Sequence, residues 1–380
     1  MRILHTSDWH LGKRLFKLDR APEHQQFLDW LINTLINKEI DLLLISGDIF
    51  DSPTPPHSAL EMFYHFLHRV SVETKTETFI IAGNHDSGLL LEAPSKLLAP
   101  HRVKVWGKLS ENVNDHWCEI KRGDETLEIC ALPFFRSYEL LPHGEGDALV
   151  ALRKYLERPR SSARLLMLHH LAGMFEAAGS EQVISLSGVD SIPVDVLRGF
   201  DYVALGHIHK PQKVSSNSFY SGSPIPLRFS ETLGKSVVLI DQKKDVLTFE
   251  THPIPVFRAL AILKVDESNW REKLSQLELA SDLTPMVEVQ MSLKAPVVGL
   301  IEEMKKVLEE KKYELLSYLP TYGGVEKKDK RHEKLFELPP ENLFQEFYAH
   351  KFPAAPTVPD ELMKDFKELL EKSIHAPPRA

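Results

Sequence analysis

Five strand-like apolar runs in this chain each end in a short cluster of Asp, His, Asn and Gly. Ile3-Leu4-His5-Thr6-Ser7 leads into Asp8 and His10, and Asp41 to Ser46 leads into Gly47-Asp48. Thr78 to Ala82 leads into Gly83-Asn84-His85-Asp86, Arg164 to Leu168 into His169-His170, and Tyr202 to Leu205 into Gly206-His207-Ile208-His209. Helical spacing intervenes. Phe27, Leu31, Thr34 and Leu35 recur between Glu23 and Asn37, and a second helical pattern runs from Ser58 to Val70 after the loop Pro53 to Pro56. Strand, loop, helix, strand is the grammar of an α/β domain, whose ligands sit beyond the strand ends. In a sheet of neighbouring strands the five clusters converge on one edge.

The donors are carboxylate, amide and imidazole, a set that suits Mn²⁺, Fe²⁺ or Zn²⁺. Cys118 and Cys130 are the only cysteines, too few for a thiolate zinc site or a disulfide framework. A carboxylate such as Asp48 can bridge two ions, which two-metal sites hold about 3.5–4 Å apart. The glycines at 47, 83 and 206 permit sharp turns beside such a site. Each element alone is commonplace: Asp8 reads equally as a turn or cap residue, and His10 as a surface histidine. Their joint occurrence, in order and each at a strand end, makes the metal reading the stronger one.

Asp8-x-His10, Gly47-Asp48-Ile49-Phe50-Asp51, Gly83-Asn84-His85-Asp86, His170 and Gly206-His207-Ile208-His209 resemble the motif set of the calcineurin-like metallophosphoesterases. The run Ile3 to Gly12 and the segment Gly222-Ser223-Pro224-Ile225-Pro226-Leu227 narrow the resemblance to the SbcD family of bacterial nuclease subunits, related to the archaeal and eukaryotic double-strand-break repair nuclease. The resemblance implies a four-layer α/β/β/α sandwich and two divalent ions, Mn²⁺ foremost. One ion would be held by Asp8, His10, Asp48 and His209, and the other by Asp48, Asn84, His170 and His207. His85 would protonate the leaving oxygen, a task suited to an imidazole that titrates near neutrality. Asp86 would orient His85 by hydrogen bonding. Of the adjacent pair, His170 is taken as the ligand because it precedes a hydrophobic residue, Leu171, and His169 is given a supporting role.

The same resemblance implies a 3′→5′ double-strand exonuclease and single-strand or hairpin endonuclease. It further implies a homodimer within a heterotetramer, working with a coiled-coil ATPase of the SbcC type. Formal net charge is −8, from 46 basic and 54 acidic side chains, without the overall basic footprint of a dedicated nucleic-acid binder. Contact with DNA must then rest on a local basic edge, ions or a partner. Lys13, Arg14, Lys17 and Arg20 offer such an edge, or simply a solvated loop. Two rivals stand beside this reading. One is a metallophosphoesterase acting on small phosphodiesters or phosphomonoesters, since substrate choice lies in loops around a shared site. The other is a scaffold that has kept the fold without its ions.

The first domain is expected to span 1–256, closing with a hairpin of Ser236–Ile240 and Val246–Thr251. A small α+β capping domain follows over 257–330, with strands at Ala259–Val265 and Met286–Met291 and helices at Trp270–Leu279 and Val298–Lys311. The tail, 331–380, carries Leu343, Phe344, Phe347 and Tyr348 on one helical face, then Leu362, Phe366, Leu369 and Leu370 on another. It reads either as a hairpin folded on the chain's own core or as two helices docked on a partner. His5 is expected to be hydrogen-bonded in the core, His65 and His68 solvated or half-buried, and His57 in a loop near Asp48 from which it could touch substrate. No apolar run approaches the roughly 20 residues of a bilayer crossing. The start reads as a strand rather than a signal peptide, and the two cysteines fit a reducing cytoplasm, which the resemblance implies is bacterial, with action at the nucleoid.

Overall fold

A computed structural model describes residues 1–141, 146–177, 191–231 and 234–322, together with 344–345, 347–348, 358–359 and 362–367. The chain forms two compact units, Met1–Thr321 and Tyr322–Ala380. Among the described residues no helix is long and apolar enough to cross a membrane.

Two six-stranded sheets build most of the first unit. One runs from edge to edge as Val246–Pro253, Ser236–Lys243, Arg2–Thr6, Leu42–Ser46, Glu77–Ile81 and Val103–Trp106. The other runs Gln212–Lys213, Ser218–Tyr220, Tyr202–Gly206, Ala163–His169, Glu125–Leu132 and Trp117–Arg122. Four strands in each sheet run parallel, with antiparallel partners only toward the edges. Parallel strands need crossovers, and the helices Ala21–Asn37 and His57–Glu73 supply two of them in the first sheet.

Burial explains why these strands read as unbroken apolar runs. Leu42, Leu44, Phe79 and Ile81 point toward the second sheet and meet Ile129, Ala131, Leu165, Met167, Tyr202 and Ala204. The alternate residues Leu43, Ile45 and Ile80 point outward onto Phe27, Leu31, Phe63 and Phe66 of the two helices. On the second sheet Leu166, Leu168, Val203 and Leu205 pack outward on Leu152, Tyr155 and Leu197. Each strand is thus covered on both faces, as parallel sheets require. Every fully buried Leu or Ile contributes about 1.5–3 kcal/mol. The expected α/β/β/α layering is what this packing produces.

A three-stranded sheet of Arg258–Asp266, Leu283–Leu293 and Glu314–Tyr322, with helices Trp270–Gln276 and Leu300–Glu310, follows the sandwich. Its core joins Trp270, Leu274, Val287, Val289, Met304 and Leu308. The first two strands are parallel, and the strand Glu314–Tyr322 is one that periodicity did not single out. Arg258 ties this sheet to the sandwich: its Nε lies 2.7 Å from Glu23 Oε1, which also takes the Nε–H of Arg20 at 2.5 Å. Arg20 is therefore wholly buried and supplies no exposed basic edge, whereas Arg14 and Lys17 are exposed.

In the second unit residues 344, 345, 347, 348 and 362–367 are helical, and the rings of Phe344 and Phe366 stack with centroids 4.2 Å apart and planes 2° from parallel. Leu343, Leu369 and Leu370 of the expected tail helices lie outside the described residues.

Candidate metal centre

The strand ends deliver their side chains through strained backbone. Asp8, His10, Asp48 and His207 all have positive φ, at 54°, 50°, 50° and 99°. Such conformations cost non-glycine residues about 1–3 kcal/mol each and persist where surroundings over-determine them. Here the surroundings do so. Asp8 N–H donates to Gly47 O at 2.9 Å, His10 N–H to Asp48 O at 3.0 Å, and His207 N–H to Asp8 Oδ1 at 2.9 Å. Between Asp8 and His10, Trp9 is driven into the core edge-on to Phe27, Phe63 and Phe66, and its indole N–H donates to Thr6 Oγ1 at 3.0 Å. Anchoring Trp9 inward frees its two neighbours for the site.

Two glycines allow the sheets to meet there. A Cβ on Gly47, whose φ is +87°, would lie 2.3 Å from His169 Nδ1, and one on Gly206 would lie 1.9 Å from Ser46 O. This closeness lets His169 Nδ1–H donate across the sandwich to Ser46 O at 2.7 Å.

Among the described residues two fully buried donor clusters result, Asp8, His10 and His209 in one and Asp48, His169 and His207 in the other, and a third, half-buried group of His10, Asp51 and His85 shares His10; the donor atoms of each lie within 4.8 Å of one another. Asn84 Oδ1 closes the second, 3.1 Å from His169 Nε2 and 2.7 Å from His207 Nδ1. Asp48 joins the two: Oδ2 lies 3.6 Å from His10 Nε2, and Oδ1 lies 3.4 Å from His169 Nε2.

The donor chemistry fits cations. His10 Nδ1 lies 3.3 Å from Asp51 Oδ1 and His209 Nδ1 lies 3.5 Å from Glu231 Oε1, so a carboxylate adjoins each ring on its Nδ1 side. Their Nε2 atoms face each other at 3.1 Å, and with Nδ1–H on both rings the two lone pairs would need a positive charge between them. At His169 Nδ1–H is committed to Ser46, and Nε2 lies against the oxygens of Asn84 and Asp48, where either a proton or a cation satisfies it.

Electrostatics agree. Burial alone would raise the Asp48 carboxyl, yet the adjoining His169, His10 and His85 rings hold it far below the usual range. Burial alone would lower His169, and the Asp48 carboxylate outweighs it to bring the imidazole to about 9. Asp86 is pushed up to about 6 by burial and by the charge on Asp48. His10 is lowered by burial despite Asp51 and Asp48.

The structure corrects two expectations. His170 does not meet the other donors: its Nε2 accepts from Phe135 N–H at 3.2 Å, and its ring stacks on Phe134 and packs against Phe135. Burial, then the neighbouring His169 and His207, lower it well below the usual imidazole range. The inward residue is His169. Nor does Asp86 orient His85. Its carboxylate accepts backbone N–H groups of Gly83 at 2.8 Å, Phe50 at 2.9 Å and Ile49 at 3.2 Å, which ties the two loops together. His85 instead donates Nδ1–H to the carbonyl of Asp51 at 2.9 Å, while its own N–H donates to Asp48 Oδ1 at 2.8 Å. Asp51 was visible in the motif Gly47 to Asp51 but carried no role there; Glu231 had no signal at all. His5 is buried with Nδ1 2.9 Å from Tyr202 Oη, and His57, His65 and His68 are exposed.

A family model described as Calcineurin-like phosphoesterase matches residues 1–211, and one described as Type 5 capsule protein repressor C-terminal domain matches 256–352. The curated SbcD subunit of the SbcCD nuclease of Escherichia coli K12 is 31% identical over 313 residues, covering 75% of this chain and 76% of that protein. The Bacillus subtilis protein of the same name is 30% identical over 401 residues, covering 97% of each. With sequence kinship extending beyond the phosphoesterase core to nearly the whole chain, this protein belongs to the calcineurin-like phosphoesterase family and, within it, to the SbcD nuclease subunits.

Proposed function

We propose that the chain is the nuclease subunit of an SbcCD-type complex, a metal-dependent hydrolase of DNA phosphodiesters acting as a 3′→5′ double-strand exonuclease and a single-strand or hairpin endonuclease. The observation that carries this is Asp48, whose two carboxylate oxygens face two separate donor clusters. Asp8, His10, Asp48 and His209 would hold one divalent ion, and Asp48, Asn84, His169 and His207 the other. Oxygen and imidazole donors without sulfur suit Mn²⁺. Bound there, the ions supply positive charge that polarises the phosphodiester and an attacking water.

The chain's own residues supply the rest. With Nδ1–H committed to the Asp51 carbonyl, His85 presents Nε2 as the group that delivers a proton to the leaving oxygen. Asp86 keeps the His85 loop seated against residues 49 and 50. Residues 257–330 would cap the cleft, and residues 331–380 would bind an SbcC-type coiled-coil ATPase, with the chain acting as a homodimer in the assembled complex. A partner protein sharing the contact with DNA reconciles this function with a net charge of −8.

The test is purified protein with Mn²⁺ on an end-labelled duplex, run beside a small chromogenic phosphodiester. Shortening of the duplex from its 3′ ends is expected. Turnover of the small ester with an intact duplex would overturn the DNA assignment.

A further inference from the structure

His209 is gripped by a second buried charged set beyond the donor clusters. Its Nδ1 lies 3.5 Å from Glu231 Oε1. The other oxygen of Glu231, Oε2, accepts from Lys235 Nζ at 3.0 Å and from Leu227 N–H at 3.1 Å. Lys235 also donates to the backbone carbonyl of His209 at 3.1 Å and to Ser223 Oγ at 2.8 Å. Ser223 N–H donates to that same carbonyl at 3.1 Å. Ring and backbone of one histidine are thus held by one interlocked unit.

Stability does not account for this arrangement. Glu231 and Lys235 are 4% and 8% exposed, and burying an ion pair costs several kcal/mol per ion, so that well-packed apolar residues often serve as well or better. What an apolar pair cannot do is receive an Nδ1–H. A carboxylate behind a ligating histidine fixes its tautomer and ring orientation. The Gly222 to Leu227 segment, set apart in the sequence only as a family mark, gains a physical purpose here: Ser223 and Leu227 pin Lys235, Glu231 and the His209 carbonyl together.

We propose that Glu231 is a positioning residue for His209, holding the ring in its Nδ1–H form so that Nε2 is presented to Asp8 and His10, with Lys235 fixing Glu231 in turn. The proposal rests on the reading of Asp8, His10 and His209 as metal donors. A competing reading makes Glu231 only the counter-ion of Lys235; its loss would then lower thermal stability without touching metal affinity.

The experiment is Mn²⁺ titration of the full chain, followed by the electron paramagnetic resonance signal of the free ion. Wild type is expected to take up two ions, and His209→Ala to lose one step. Glu231→Gln, nearly isosteric, is expected to weaken that same step by about 10–100-fold and to leave the other within about twofold. Glu231→Asp, which keeps the charge but draws it back from the ring, is expected to fall between, and it carries the same readout if Glu231→Gln does not fold. Unchanged affinity in both steps, or weakening confined to the other step, would overturn the proposal while the metal reading stands. A folded wild-type chain that takes up no Mn²⁺ would overturn both.

Discussion

Adjacent histidines at a strand end face opposite sides, and only one can enter the site. The strand Ala163–His169 settles which. Leu165 and Met167 point into the space between the sheets, so His169 shares their side, while Leu166 and Leu168 point outward with His170. Both faces of this strand are apolar, so alternation carried no signal in the sequence, and the choice of His170 on its neighbour Leu171 had no packing argument behind it. The other proposed donors lie in clusters that the sequence marks: Asp8 with His10 and His207 with His209 bracket the core residues Trp9 and Ile208, and Asp48 and Asn84 each follow a glycine. Opposite outcomes are expected at the pair. His169→Ala should lose at least about 100-fold in Mn²⁺-dependent cleavage, more than is typical for residues behind the ligands. His170→Ala should retain cleavage but unfold more easily by about 2–4 kcal/mol, as an emptied core site does. Single-turnover cleavage and thermal unfolding of both variants decide it, and the reverse pattern would restore His170 to the site.

At the scale of elements, the central parallel strands and the two long helices were legible, since burial on both faces leaves long apolar runs and one-sided burial leaves helical spacing. The short buried strand Ser218–Tyr220 was not. Three longer strands were missed as well, Val103–Trp106, Trp117–Arg122 and Glu314–Tyr322. Each sits at the edge of its sheet, half-exposed, where pairing with a neighbour rather than its own pattern makes it a strand. Turns at the strand ends belong to this scale too. The Gly47 turn brings the first sheet within reach of His169, and a methyl group there meets the imidazole directly. Gly47→Ala is therefore expected to lower stability by about 1–2 kcal/mol from the left-handed backbone alone. It should also weaken Mn²⁺ uptake by displacing His169 from Ser46. Calorimetric unfolding with and without Mn²⁺ measures both, and an unchanged metal-induced rise in Tm would show that the turn does not set the site.

For the whole molecule, the small sheet starts at Arg258 and the second family match at 256. How the parts are joined was not legible. The buried Glu23 pairs with Arg20, three residues away, and with Arg258 from a distant segment, and a charge whose second partner lies so far off in sequence reads as surface. The tail raises a separable question, and its Phe344–Phe366 stack shows that two of its segments meet. Removal of residues beyond Pro339 is expected to abolish co-purification with an SbcC-type ATPase while sparing Mn²⁺-dependent cleavage of short duplexes. Binding that survives the truncation would place the docking surface elsewhere.

The hydrogen bond from the His207 amide to Asp8 closes a loop of nearly two hundred residues. A chain still emerging from the ribosome therefore carries no finished cage until its second sheet has docked on the first. Every partly made or half-unfolded copy thus holds only part of the donor set, since Asp8, His10 and Asp48 follow strands of the first sheet and His169, His207 and His209 belong to the second.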